Sequence, residues 1–164
     1  MKYKQLLKTL IDVLFFLHLT LLIVALLVLL FGVGSEFINV KDLDGTAWTW
    51  TAGIIALICA ILFLRGLYYL RLIANQLLSQ AYFSNSIIKN LKQSGNDFVL
   101  SGSLILLISF VLWIGNIFHG ELNLRLDTEH LGALFLIIVG LFFSIQSKTL
   151  TLARAIKAEN DLTV

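Results

Sequence analysis

Four stretches of this 164-residue chain, at about 13–33, 48–68, 98–118 and 131–147, stay apolar for longer than a core strand or an ordinary core helix needs. A hydrocarbon layer roughly 30 Å thick is crossed by about 20 helical residues. Within it every backbone N–H and C=O must find a partner inside the segment, so an isolated apolar stretch of this length folds as a helix. The whole chain fits that environment: 59% of its residues are hydrophobic and 13% charged, with a mean hydropathy of +0.92, a balance well outside soluble domains. The expected fold class is an all-α membrane protein with four transmembrane helices in a bundle, one integral domain over 1–164. The first stretch follows Lys2, Lys4 and Lys8 and ends near Gly32 and Gly34, which resembles a signal peptide. Its apolar run exceeds the roughly 7 to 15 residues of a signal core, so it is expected to stay as a helix. Proline is absent and Cys59 is the single cysteine, which excludes an intrachain disulfide and a dithiol redox couple.

The basic residues orient the four spans. Lys2, Lys4, Lys8, Arg65, Arg71, Lys89, Lys92, Lys148, Arg154 and Lys157 fall on one side, against Lys41 and Arg125 on the other. By the positive-inside rule the first side is cytoplasmic, so both termini are expected in the cytosol, with segments 1–12, 69–97 and 148–164 facing it. Glu36, Asp42, Asp44, Glu121, Asp127 and Glu129 make the outer connections acidic. Trp48 and Trp50 stand where the second span enters and Tyr68 and Tyr69 where it leaves, as an interfacial aromatic belt requires. Arg65 lies close enough to the inner face to snorkel, an anchor before it is a functional charge.

The chain repeats one hairpin plan twice, so the two halves are expected to be related about the membrane normal. In the second outer connection Leu122, Leu124 and Leu126 alternate with polar residues, and Ile38 and Val40 hint at the same in the first. That period of two predicts a short two-stranded ribbon outside the membrane. Helices in lipid associate through close packing of small residues. Ala52, Ala56 and Ala60 form one such row on the second span, and Gly132, Gly140 and Ser144 a comparable one on the fourth. These two faces are expected to meet at the bundle centre, with homo-oligomerisation through them as the rival. The first span, with Ala25 its one small mid-span residue, is expected to be the most lipid-exposed.

Past Arg65 the pattern becomes amphipathic, so the second helix should project beyond the bilayer, and the segment after Ser147 repeats this more weakly. Between them "YFSNSIIKNLKQSG" (82–95) reads as a short helix capped by Ser84 or Ser86 and closed by Gly95. It lies either on the anionic inner leaflet or against the two extensions. This segment and the closing "ARAIKAENDLTV" (153–164) resemble the two signature segments of the YoaS-like bacterial membrane proteins, a family of unknown function with four spans. The resemblance implies a bacterial inner-membrane location. Because such proteins are typically encoded beside a small helix-turn-helix regulator, it also implies membrane control of a cytosolic transcription factor. The chain ends in Val164 where that family commonly has Ile.

In the tail, Glu159 and Asp161 can pair with Arg71, Lys89 or Lys92, while Leu162 and Val164 fill an apolar groove. With Asn160 and Thr163 they form either a structural latch or a docking peptide for a soluble partner; the bland reading is a frayed end. His18, inside the first span, is a candidate functional residue by position, yet it has no acidic partner at i+3 or i+4. His119 and His130 accompany Glu121, Asp127 and Glu129 at spacings that match no zinc pattern. No phosphate-cradling loop, paired metal-binding histidines or nucleophile elbow occurs, so no catalytic residue, cofactor or metal is expected. The basic residues line the inner interface, where anionic lipid accounts for them without nucleic acid. A non-enzymatic regulatory protein leads this reading, a small oligomeric transporter or channel subunit follows, and a lipid-acting enzyme using Asp12, His18 and Arg65 comes last.

Overall fold

The computed structural model describes residues 2–31, 46–78, 84–118 and 128–162. They form four helices: α1 (Lys2–Phe31), α2 (Thr46–Leu78), α3 (Asn85–Phe118) and α4 (Thr128–Leu162). Each contains a stretch long and apolar enough to cross a membrane. At about 1.5 Å per residue each is about 45–52 Å long, so it continues past a hydrocarbon layer of about 30 Å. Among the described residues there is no strand, and the expected ribbon falls in connections outside them.

Among the described residues, helices adjacent in sequence pack on each other, and only those: α1 on α2, α2 on α3, α3 on α4. They alternate in direction, since Lys4 Nζ reaches the Leu77 carbonyl, Gln76 meets Ser86, and Ser147 meets Ile88. One end of the array therefore gathers the starts of α1 and α3 and the finishes of α2 and α4. Every lysine and arginine of the described residues lies from Arg65 toward this basic end or on the corresponding turns of its neighbours.

The expected seam between the small faces of α2 and α4 does not form, because α3 stands between them. The cause is a dipeptide written twice on α3, Ser94-Gly95 and Ser101-Gly102, seven residues apart. Consecutive helical residues point about 100° apart, so the serines face one neighbour and the glycines the other. Ser94 Oγ donates to the Gly66 carbonyl at 3.0 Å and Ser101 Oγ to the Cys59 carbonyl at 3.1 Å. The acceptors are also seven residues apart, which locks the antiparallel register of α2 on α3. On the other side, a Cβ on Gly95 would stand 2.6 Å from the Gly140 carbonyl oxygen, and one on Gly102 2.7 Å from that of Ala133. Glycine lets the α3 and α4 backbones touch, which is how helices bind tightly in lipid. Each serine hydroxyl should contribute about 0.6 kcal/mol. Ser94→Ala and Ser101→Ala are therefore expected to weaken the fold by similar, additive amounts in unfolding from detergent micelles.

At the basic end α2 and α3 enclose Ile73, Ile87 and Leu91, with Leu70, Leu77, Phe143 and Leu150 against them. The separate short helix expected before the third span is instead the first turns of α3, which runs unbroken through Gly95. That glycine serves close approach rather than helix termination. Ser84 does cap, its Oγ accepting from the Ile87 N–H at 3.2 Å. α1 is the least enclosed helix: 6% of its most apolar window is buried, against 33% for α3.

Candidate functional site

The face of α3 that carries Ser94 and Ser101 also carries Asp97, and directly across the seam stands Arg65 of α2. Arg65 Nε donates to Asp97 Oδ2 at 2.8 Å and Nη2 donates to Oδ1 at 2.5 Å. This side-on fork is the strongest geometry an arginine and a carboxylate adopt. Asp97 is enclosed, its side chain 3% exposed, whereas that of Arg65 is 53% exposed. Arg65 is thus held across the seam to a carboxylate, not left to extend along its stem as a simple anchor. Burial of Asp97 without this partner would be unfavourable by several kcal/mol.

Beside the pair an aromatic row crosses all four helices. His18 of α1 meets Phe63 of α2 edge-on at 4.6 Å between ring centroids. Phe63 lies 5.5 Å from Phe98 of α3, which lies 6.1 Å from Phe143 of α4. A side chain at Gly66 would collide with the Phe98 ring, so the glycine next to Arg65 seats that ring. His18 therefore packs in a row of rings, with its Nε2 enclosed and without a hydrogen-bond partner.

One and a half turns nearer the basic end, Arg71 Nε donates to Asp12 Oδ1 of α1 at 2.7 Å, its guanidinium carbon 5.4 Å from the Phe15 ring centre and 5.0 Å from that of Phe16. Asp12, rather than a carboxylate of the tail, takes this arginine. The pair is partly exposed and should be worth about 1 kcal/mol or less; it ties α1 to α2 beside the Lys4 contact with the Leu77 carbonyl. Asp12→Asn is expected to speed amide exchange in α1 while leaving α3 and α4 unchanged.

Lys89 and Lys92 are exposed on the first turns of α3, and Glu159, Asn160 and Asp161 are exposed on the last turns of α4. Leu162 closes α4, while its side chain, Thr163 and Val164 fall outside the described residues. Of the small residues, Gly140 and Ser144 pack on Gly95 of α3, not on α2. A Cβ on Gly132 would meet nothing within 4 Å among the described residues. Ala56 is exposed and Ala60 half-buried, and the side chain of Ala52 is outside the described residues. Among the described residues no three His, Cys, Asp or Glu come together as a metal site; His119, Glu121 and Asp127 lie outside them. Sequence reasoning passed over Asp97, Ser94 and Ser101. The signal available was the seven-residue repeat of Ser-Gly with an acid between its copies.

Four such helices, with a charged pair locked between two of them, define a multi-pass helical membrane protein. Residues 39–164 match the family described as "Protein of unknown function (DUF2975)", and the chain belongs to that family. The match takes in α2, α3 and α4 with both seams and leaves α1 outside it. No curated protein and no solved structure matches the chain.

Proposed function

We propose that this chain is a non-enzymatic interaction protein of the bacterial inner membrane, with both termini in the cytosol. Its helix extensions and C-terminal turns hold a soluble partner, a small helix-turn-helix transcription regulator. The observation that carries this reading is the end of α4. The helix continues without a break beyond Ser147, which donates to the Ile88 carbonyl, and Leu150, which packs on the basic-end cluster, to Leu162. Along that stub Leu152 and Ile156, one turn apart, are 66% and 58% exposed beside Arg154, Lys157, Glu159 and Asp161. An apolar pair at helical spacing, flanked by both signs of charge, suits a helix-in-groove contact once it stands in water. The positive-inside rule supports placing it in the cytosol, and the resemblance of 82–95 and 153–164 to the YoaS-like proteins supports the kind of partner. The tail residues Glu159 to Val164, with Lys89 and Lys92 on the neighbouring turns of α3, complete the proposed surface.

The oligomeric transporter has less behind it. Ser101, a buried hydroxyl deep in the array, is committed to the Cys59 carbonyl. Purification of the intact protein from its native membrane, beside a version truncated after Ala158, tests the proposal. A helix-turn-helix protein retained by the first and lost from the second is the expected result. Its absence from both contradicts the regulator reading.

A further inference from the structure

We propose that the outward side of the α2–α3 seam is a binding site for the phosphodiester of an anionic phospholipid, with Arg65 as its principal donor. A guanidinium carries five N–H donors, and Asp97 engages one on Nε and one on Nη2. Three N–H groups are left on a side chain that is 53% exposed, within a stretch of α2 long and apolar enough to cross the membrane. An N–H facing lipid without an acceptor is strongly unfavourable. Because Asp97 is 3% exposed and grips two nitrogens, Arg65 cannot swing toward bulk water to satisfy the rest. The acceptor must come to it.

The surroundings say which acceptor. Tyr69 is four residues on from Arg65, on the same helix face and about 6 Å nearer the basic end. It belongs to the tyrosine pair expected at the membrane interface, a placement that puts Arg65 about one turn below headgroup level. On α3, Lys89, Gln93 and Asp97 are spaced i, i+4, i+8 and form one row running from that level down to the ion pair. Lys89 is exposed and Gln93 partly so. The two rows thus offer Tyr69 and Gln93 as neutral hydrogen-bonding groups and Lys89 as a second cation above Arg65. A planar guanidinium edge fits two oxygens of a phosphate. With Asp97 already balancing Arg65, the excess charge of Lys89 favours a headgroup of net negative charge. This site does not depend on the regulator reading.

Solid-state NMR of protein labelled at arginine with nitrogen-15, measuring dephasing by phosphorus-31, tests the proposal. The chain has four arginines, Arg65, Arg71, Arg125 and Arg154. Arg65→Lys identifies the resonance, and Arg71→Lys, Arg125→Lys and Arg154→Lys do so by elimination if that variant does not fold. Clear dephasing of the Arg65 guanidinium nitrogens is expected in phosphatidylglycerol bilayers, with distinctly less in phosphatidylcholine. With inorganic phosphate in phospholipid-free micelles none is expected. Absence of dephasing in phosphatidylglycerol overturns the site, and equal dephasing in the two lipids overturns its preference for an anionic headgroup. Dephasing by inorganic phosphate alone identifies free phosphate as the ligand and overturns the lipid assignment.

Discussion

Gly140→Leu prevents the α3–α4 seam from closing, whereas Gly132→Leu on the same helix leaves stability unchanged or slightly raised. The contrast follows from what each new side chain meets. At Gly140 the first added carbon already stands 2.6 Å from the Gly95 carbonyl oxygen and 2.8 Å from the Val99 backbone nitrogen. Backbone cannot move aside as the end of a flexible side chain can, so the helices must separate. Their separation also opens the Gly102–Ala133 contact and the Ser147 hydrogen bond to the Ile88 carbonyl. Overpacking a well-filled site typically destabilises by about 1–3 kcal/mol, and here the loss should be at or above the top of that range. A Cβ at Gly132 would meet nothing within 4 Å among the described residues, and leucine has the better helix propensity by about 0.8 kcal/mol. Thermal unfolding of both variants in the same detergent checks this. Equal destabilisation would mean that α4 packs through a different face.

The second large effect belongs to the ion pair. Arg65→Gln leaves the Asp97 carboxylate, 3% exposed, enclosed between helices without its cation. Removing one member of a buried pair is typically destabilising by about 3–5 kcal/mol. Since the arginine side is half open, a loss near about 3 kcal/mol is expected. The double variant Arg65→Gln/Asp97→Asn removes both charges and should recover most of that loss. Denaturation of the two single variants, the double variant and the parent forms a closed cycle. A double variant as unstable as the sum of the singles would show that the two residues do not act as a unit.

The four helices were readable because an apolar run of about 20 residues has few alternatives in lipid. Helix pairing was harder to read. Rows of alanine on α2 and of glycine and serine on α4 do mark places where backbones can come close, and Gly140 and Ser144 are such a place. Composition names a face but not its partner, and the partner proved to be α3, through Gly95, which reads in the sequence as a helix end, and Gly102. Gly95 illustrates the difficulty. A glycine after a polar, serine-capped segment fits a helix end, and only the backbone of α4 at 2.6 Å from its would-be Cβ reveals the other reason for it.

The charges divide in the same way. Arg65 stands out because it interrupts an apolar stretch, whereas Asp97 stands at the edge of a polar segment where nothing local marks it. Their pairing spans 32 residues of sequence and depends on a register that two serine hydroxyls set. No local pattern contains that register, although the matched spacings of Ser94 to Ser101 and Cys59 to Gly66 hold it once the helices are placed side by side. Arg71 was read as a counter-charge for the tail because the tail is acidic. Asp12 reaches it first because α1 and α2 are consecutive, and an antiparallel pair brings their basic ends together without any long-range search.

The proposed role stands or falls with the side of the membrane on which α4 ends. A single cysteine at Asp161, in a protein with Cys59 replaced by serine, can be probed in whole cells with a maleimide that does not cross the inner membrane. Reaction only after that membrane is permeabilised is expected, with the Leu152–Ile156 stub in the cytosol. Full reaction in cells whose inner membrane is intact would put the same stub outside, where no transcription regulator could reach it.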